Sequence, residues 1–385
     1  MRILHVIGSV GDAHGGPSTA VKLMARASAA AGMTVHIATT NINGDGYLDV
    51  PFDEPVNEGG ASIRYFRADT RFYSTSRSLA RWLRERTGDY DVVHAHALFS
   101  FPTTMAARHA RRSARPYILR PLGTLAPYGM TQHRLLKRVS WELLESRIIP
   151  RAKALHFTSV AERDEAEGLG IDFRSEVVPL GIDVAEYQTT RDRAWLKNRG
   201  GAEDSGCVFL FMSRLHEKKR LELVLSAIAE LNRDGRTASL IVAGHGESRY
   251  VDSLKALAQQ LGIREAVVWA GHVSGEEKRA VLRAADVFVL PSINENFGIA
   301  VIEACASGLP CVLTSGVAVH REVEAVDAGI IVGGSTAAVA EAMRALLDPA
   351  TRMEMAGRAR ALAETAFSLD AMSRGLTAMY QRAVA

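Results

Sequence analysis

The chain has 385 residues, 47% of them hydrophobic, and a net charge of only +3, a composition that suits a globular protein with more than one core and predicts two domains. Its three cysteines, Cys207, Cys305 and Cys311, match no metal-ligand spacing and leave an odd count, which excludes a disulfide framework and points to buried thiols in a reduced, cytoplasmic compartment. No apolar run approaches the length of a membrane span, and no nucleic acid is expected as a partner.

The chain opens on an apolar run, 3–7, broken at once by Gly8 and Gly11, which reads as a first strand rather than a signal peptide. Gly15 and Gly16 complete a glycine-rich turn before a helix carrying Val21, Met24 and Ala25 on one face, so backbone is expected to approach a ligand closely there. The spacing is not G-x-G-x-x-G, and the second strand, 35–39, ends in Thr39-Thr40-Asn41 without the acid that a ribose of NAD requires, which disfavours an NAD enzyme. Further strands are predicted at 63–66, 92–96, 117–120, 154–158 and 176–178, the alternation of parallel β-α-β construction. Asp89-Tyr90-Asp91 precedes a strand, at the end where ligands do not gather, and reads as a turn rather than a metal site. His94 and His96 share a strand face; a metal pair lacks an evident third ligand nearby, and His96, nearest the carboxyl end, is the candidate for an acceptor-binding wall. From Arg108 to Lys153, eleven Lys and Arg stand against Glu142 and Glu145 alone. With amphipathic pieces such as Leu135-Leu136-Lys137-Arg138-Val139, this stretch is expected to touch an anionic membrane, the plain alternative being a solvated helix face.

Residues 183–205 are polar and without periodicity and read as a linker. A second series of strands follows at 208–212, 240–243, 267–270, 287–290, 311–314 and 330–332, with helices such as 221–232 between them. The stretch from Ser213 to Arg220 leads from strand to helix and carries Arg214, Lys218, Lys219 and Arg220, a run that is either a ligand clamp or a solvated helix start. Strand 287–290 is stopped by Pro291, and 299–306 forms a helix closed by Gly308 and Pro310. The amides of Phe297, Gly298 and Ile299 then lie at a helix N-terminus, suited to a diphosphate. Glu295 and Glu303, eight apart, would stand about 80° from one another on a continuous helix and face one ligand. A last helix, 368–384, presents Met372, Leu376, Met379 and Tyr380 on one side.

Taken together, Pro291-Ser292, Glu295-Asn296-Phe297-Gly298 and Glu303-Ala304 resemble the nucleotide-sugar signature of the family 4 retaining glycosyltransferases. Ser213-Arg214-Leu215 with Lys219 is similar to that family's Gly-Arg-Leu…Lys-Gly motif, Lys218 leaving the register open by one residue. Val242 to Glu247 and Trp269 to Val273 match further family segments, so the resemblance covers nearly the whole chain. It implies an α/β protein of GT-B fold: two Rossmann-like domains facing a cleft, an acceptor-side domain over 1–185 joined by a C-terminal helix at about 366–385, and a nucleotide-sugar domain over 186–365. The activity implied is a retaining, metal-independent glycosyl transfer from a UDP- or GDP-sugar co-substrate, with no separate cofactor, to a saccharide or lipid-linked acceptor in polysaccharide synthesis. Arg214, Lys219 and Glu295 would act on the leaving diphosphate and the sugar. Gly15, Gly16, Gly244, Gly246, His272, Val273, Asn296, Phe297, Gly298, Ile299, Ala300 and Glu303 would hold the donor, Glu303 through its ribose.

The chain departs from the family at Ser213 and Arg220, each in place of glycine, at Leu122 within Arg120-Pro121-Leu122-Gly123-Thr124, where many members carry His, and at Leu180, where Asn is usual. The missing histidine leaves the general base unassigned. A nucleotide-sugar 2-epimerase of the same architecture and a nucleotide-binding protein with a decayed site are the two rival readings.

Overall fold

The buried apolar runs of the sequence become two stacks of parallel strands, described here from a computed structural model that covers residues 1–125, 134–188, 190–200 and 206–385. They fall into two units, Met1–Gly181 with Leu369–Ala385, and Ile182–Ser368.

In the first unit the strands of the main sheet are β1 (Arg2–Ser9), β2 (Thr34–Thr40), β3 (Val56–Glu58), β4 (Ala61–Phe66), β5 (Val92–His96), β6 (Tyr117–Arg120), β7 (Ala154–Phe157) and β8 (Ser175–Val177). They form one eight-stranded sheet in the order β8-β7-β6-β5-β1-β2-β4-β3. Only β3 runs antiparallel, and this short, exposed edge strand gave no apolar signal in the sequence. Leu4, Val6, Val93, Ala95, Leu119, Leu155 and Phe157 fill one face of the sheet. Asp91 lies at the amino end of β5, where its carboxylate accepts from the Arg2 amide at 2.7 Å, as a turn residue would.

The second unit holds β9 (Cys207–Met212), β10 (Ala238–Ala243), β11 (Val267–Gly271), β12 (Val287–Leu290), β13 (Cys311–Thr314) and β14 (Gly329–Val332). All are parallel, in the order β11-β10-β9-β12-β13-β14. The strand order reverses between β9 and β12, and in such sheets the crevice at the carboxyl ends of that pair takes the ligand. The stretch expected as a linker is instead folded onto this unit. Tyr187 and Leu196 are buried, and the Arg191 and Arg193 guanidiniums both pair with Asp286, whose backbone precedes β12. Its charges looked like those of a solvated linker because their partner lies far away in sequence. Residues 189 and 201–205 of that stretch lie outside the described residues. All three thiols are buried, with Cys305 and Cys311 Sγ 3.7 Å apart.

The opposite face of the first sheet is polar, yet dry. His5, His94, His96 and His156 are fully buried there beside the C-terminal helix Leu369–Val384, which lays Met372, Leu376, Met379 and Tyr380 inward. That helix is tied to helix Gly16–Ala30 by Ser373 Oγ donating to the Ala27 carbonyl at 3.0 Å. It is tied to β8 by a bidentate Arg382–Glu176 pair at 2.7 Å. His156 Nε2 donates to the Val178 carbonyl at 2.9 Å, so its Nδ1 accepts from His94 Nε2 at 3.2 Å, and His94 Nδ1 accepts from the Tyr380 hydroxyl at 3.0 Å. The neutral tautomers follow from this chain of bonds.

Two sequence expectations change here. His96 does not line an open wall: it is fully buried, with its Nε2 2.9 Å from His5 Nδ1. A third imidazole does stand beside His94 and His96, because the β1–β5 register sets His5 opposite His94, and the three offer nitrogens within 4.8 Å of one another. Both nitrogens of His94 are already committed, however, and the buried Arg120 charge lies close by. The group is therefore a neutral ladder and a poor fit for a cation.

Burial, then the Arg120 charge, lowers His5 from 6.5 to about 3, and the same two causes lower His156 to about 3. Burial first, then the neighbouring imidazoles and Arg120, holds His94 and His96 well below their ordinary value. The unfolded chain would take up the His5 and His156 protons near pH 6.5, the folded unit only near 3. Stability is thus complete above pH 6.5 and falls as the pH drops, by about 1.4 kcal/mol per unit for each histidine. Denaturant melts should show a lower midpoint at pH 5.5 than at pH 7, with a shallower fall in His156→Gln; a midpoint unchanged between the two would refute the neutral ladder.

Candidate functional site

The carboxyl ends of the second sheet are laced together through backbone. After β9, Ser213 N donates to the Ala243 carbonyl at 3.0 Å and Leu215 N to His245 O at 2.8 Å, and Leu215 forms a parallel bridge with Gly246. Gly244 N donates to Gly271 O at 2.6 Å. A side chain at Gly244 would collide with the Ser213 carbonyl, so this close approach requires glycine. The loops after β9, β10 and β11 thus form one row. His272 is exposed in it, with its ring edge-on to His245 at 5.1 Å, while Val273 is buried and offers backbone alone.

His216 caps the next turn, its Nδ1 accepting from Lys218 N at 3.2 Å. The turn ends at Arg220, whose φ of 54° lies in the left-handed region; that conformation is the physical reason glycine is usual at this point of the motif. The Lys218 carbonyl accepts from Ile293 N at 2.8 Å and Ser292 Oγ at 3.2 Å, which binds the loop after β9 to the loop after β12. Lys219 is buried, and its ammonium ion-pairs with the Glu295 carboxylate. It is therefore Lys219 that the fold brings to Glu295. Arg214 is exposed on the same loop.

Glu295 and Glu303 do not share a continuous helix. Glu295 donates its N–H to Gly316 O at 2.8 Å and accepts from Ala318 N at 3.1 Å, a bridge to the loop after β13. Gly298, at φ 90°, then turns the chain into helix Ile299–Ala306. The amides of Ile299 and Ala300 occupy the first turn, where no intrahelical acceptor exists. Asn296 is half-buried, whereas the Phe297 ring packs edge-on against Phe367 at 5.9 Å, so Phe297 contributes its amide and not its ring. Glu303 is buried and accepts, at Oε1, from the Tyr187 hydroxyl at 2.9 Å and Lys278 Nζ at 2.5 Å. Sequence reasoning missed both partners. Lys278 reads as one more charge on an amphipathic helix, and Tyr187 lay in the supposed linker.

In the first unit, Gly15 and Gly16 open helix Gly16–Ala30 with nothing within 4 Å of where a Cβ would stand. Across the carboxyl ends of β4, β5 and β6, five residues other than glycine adopt left-handed backbone: Tyr73, Ser74, Ala97, Phe99 and Leu122. Strain of this kind, concentrated on one rim, marks functional loops. Two buried carboxylates hold the rim, Glu145 accepting from Phe99 N at 3.1 Å and Glu162 from Gly123 N at 2.9 Å. Beside them helix Arg134–Ser140 runs on through a π-helical turn, Trp141–Glu145, with Val139 and Leu143 more than half exposed and Arg138 and Arg147 also exposed. Residues 126–133 and the side chains of Leu135 and Leu136 lie outside the described residues. Among the described residues, no helix is long and apolar enough to cross a membrane.

Residues 193–362 match the family model of glycosyl transferases group 1, and residues 15–181 match that of the glycosyl transferase 4-like domain. A D-inositol 3-phosphate glycosyltransferase of Nocardia farcinica is 30% identical over 319 residues, 80% of this chain and 70% of that protein. An uncharacterised glycosyltransferase of Methanocaldococcus jannaschii is 38% identical over 288 residues, 70% of this chain and 71% of its own length. Among solved structures, Anabaena HepE in complex with UDP and glucose superposes with a TM-score of 0.78 at 18% identity, covering 99% of both chains. Sucrose-phosphate synthase from Thermosynechococcus elongatus does so at 0.79 and 18%, over 99% of this chain and 98% of that one. The strand order of each unit, the laced loops of the second and the match to both family models agree: this chain belongs to the group 1 glycosyltransferases, as a family 4-like member of GT-B architecture.

Proposed function

We propose that the second unit binds a nucleoside diphosphate sugar at the carboxyl ends of β9 to β13 and that the sugar is transferred, with retention, to an acceptor held by the rim of the first. The observation that carries this reading is the ion pair of buried Lys219 with half-buried Glu295, beside the helix opened by Gly298. A fixed ammonium and a helix N-terminus suit a diphosphate whose charge grows as the glycosidic bond breaks, and such preorganised groups can stabilise a leaving group without a metal ion. Arg214 is the second cation, Glu295 meets the sugar hydroxyls, and Glu303 takes the ribose. Gly15, Gly16, Gly244, Gly246, His272, Val273, Asn296 and the 297–300 amides complete the donor contacts. Solved neighbours with UDP or UDP-glucose bound favour a UDP-sugar over a GDP-sugar.

The donor reading is tested first by binding. UDP at about 100 times its dissociation constant should raise stability by about 2.7 kcal/mol, unchanged by EDTA, and GDP and ADP should raise it less. No response to any of the three would refute the reading, and a response abolished by EDTA would refute its metal independence. Transfer to an acceptor, rather than epimerised donor, should be the product.

Lys219→Ala should lower turnover by on the order of a hundredfold, comparable to losing one preorganised stabilising group. Lys218→Ala, which keeps the carbonyl that ties the two loops, should be mild. The reverse order of effects would move the clamp to Lys218, and two mild variants would remove it.

The acceptor is proposed to be lipid-linked and met at the cytoplasmic face of a membrane, supported by exposed Val139 and Leu143 beside Arg138 and Arg147. Among the curated relatives, an alpha-monoglucosyldiacylglycerol synthase of Streptococcus pneumoniae is named for a lipid product. The protein should sediment with anionic liposomes at low salt, and Val139→Asp with Leu143→Asp should abolish this. Equal sedimentation of the variant, or none by the parent, would leave a solvated helix face.

A further inference from the structure

Glu303 is buried at 6% exposure, and a buried carboxylate needs hydrogen-bonding or charged partners to offset its lost hydration. That support arrives from two elements distant in sequence. Lys278, on helix Gly275–Ala284, sets Nζ 2.5 Å from Oε1, and Tyr187, next to the turn Val184–Glu186, sets its hydroxyl 2.9 Å from the same oxygen. The Lys278 ammonium also stands 5.9 Å from the centre of the Tyr187 ring, so the three side chains form one closed group. Burial and the Glu303 charge push the Tyr187 phenol far up, which keeps it a hydrogen-bond donor at any physiological pH.

Other charges around the group are occupied elsewhere. Glu186 and Arg279 flank Tyr187 and pair with each other at 3.5 Å. On helix Pro349–Ala366, which packs along the Glu303 helix, Arg360 lies against Gly308 and Glu364 accepts from Gln188 at 2.5 Å. On β13, Cys311 is paired with Cys305.

We infer that Lys278 and Tyr187 are positioning residues for the donor nucleoside: by occupying Oε1 they hold the Glu303 carboxylate in one orientation, with Oε2 presented to the vicinal hydroxyls of the ribose. The inference rests on the donor reading above and adds to it the source of ribose selectivity. A diol donates two hydrogen bonds, and a carboxylate oxygen, with two lone pairs and no hydrogen, can accept both. Lys278 thus acts on the ligand through Glu303 rather than by touching it.

Calorimetric titration with UDP and 2′-deoxy-UDP at pH 8 tests this in the parent protein and in Lys278→Met, Lys278→Arg, Tyr187→Phe and Glu303→Ala. Lys278→Met should weaken UDP binding by on the order of tenfold at pH 8, the worth of a hydrogen bond to a charged group. The preference for UDP over 2′-deoxy-UDP should shrink in Lys278→Met, shrink less in Tyr187→Phe and recover in Lys278→Arg. A Lys278→Met protein with the parent's affinity and ribose preference overturns the inference while leaving the donor site standing. If the parent binds neither UDP nor GDP nor ADP, the donor reading falls and takes the inference with it. If Lys278→Met fails to fold, Tyr187→Phe decides by the same ribose preference.

Discussion

A buried ammonium and a carboxylate cannot part without leaving a charge unsupported in a poor solvent, and in this protein that constraint falls on Lys219 and Glu295. The two belong to loops after β9 and β12, the strands between which the sheet reverses its order. Around them the Lys218 carbonyl gathers Ile293 N and Ser292 Oγ, and Glu295 bridges the loop after β13. Three loops are therefore set by one charge pair and a handful of backbone bonds. Such preorganisation lets a cation serve a leaving group without being rearranged at the moment of reaction.

The first unit meets a different constraint, a polar layer within a dry face. Four imidazoles there stay neutral because burial penalises their charged forms and Arg120 adds its own charge nearby. The ring nitrogens of His94 and His156 are used up within the chain Tyr380, His94, His156 and Val178. The hydroxyl that starts this chain comes from the C-terminal helix, whose apolar side completes the same face. Both ends of the polypeptide are thereby committed to one unit, and the alternation of Met372, Leu376, Met379 and Tyr380 in the sequence is the outward sign of it.

Legibility differed with the range of the interaction. The strands and the helix at 299–306 could be read because apolar runs, Pro291 and the 308–310 Gly-Leu-Pro stop act locally. The glutamate loop and the basic turn were visible as motifs because their residues are neighbours in sequence. Four points were not visible. His5 joined His94 and His96 only through the strand register. Lys278 and Tyr187 reached Glu303 from 25 and 116 residues away. Arg191 and Arg193 met Asp286 across more than ninety positions, which turned a supposed linker into part of the second unit. His96, placed by its strand position on an exposed wall, was covered by elements the local pattern does not reveal.

By itself, the sequence determined the class of fold and the chemistry on offer: periodicity dictates strand and helix, and residue type dictates which groups can carry charge or donate a proton. Only the tertiary structure decided which of those groups meet. It selected Lys219 over Lys218 as the partner of Glu295, took Glu295 off the helix that carries Glu303, supplied Glu303 with Lys278 and Tyr187, and made the histidines a neutral ladder. The physical reason is that charge pairing and burial depend on separation in space, through strand order and loop geometry, and neighbouring residues in the chain carry no record of that separation.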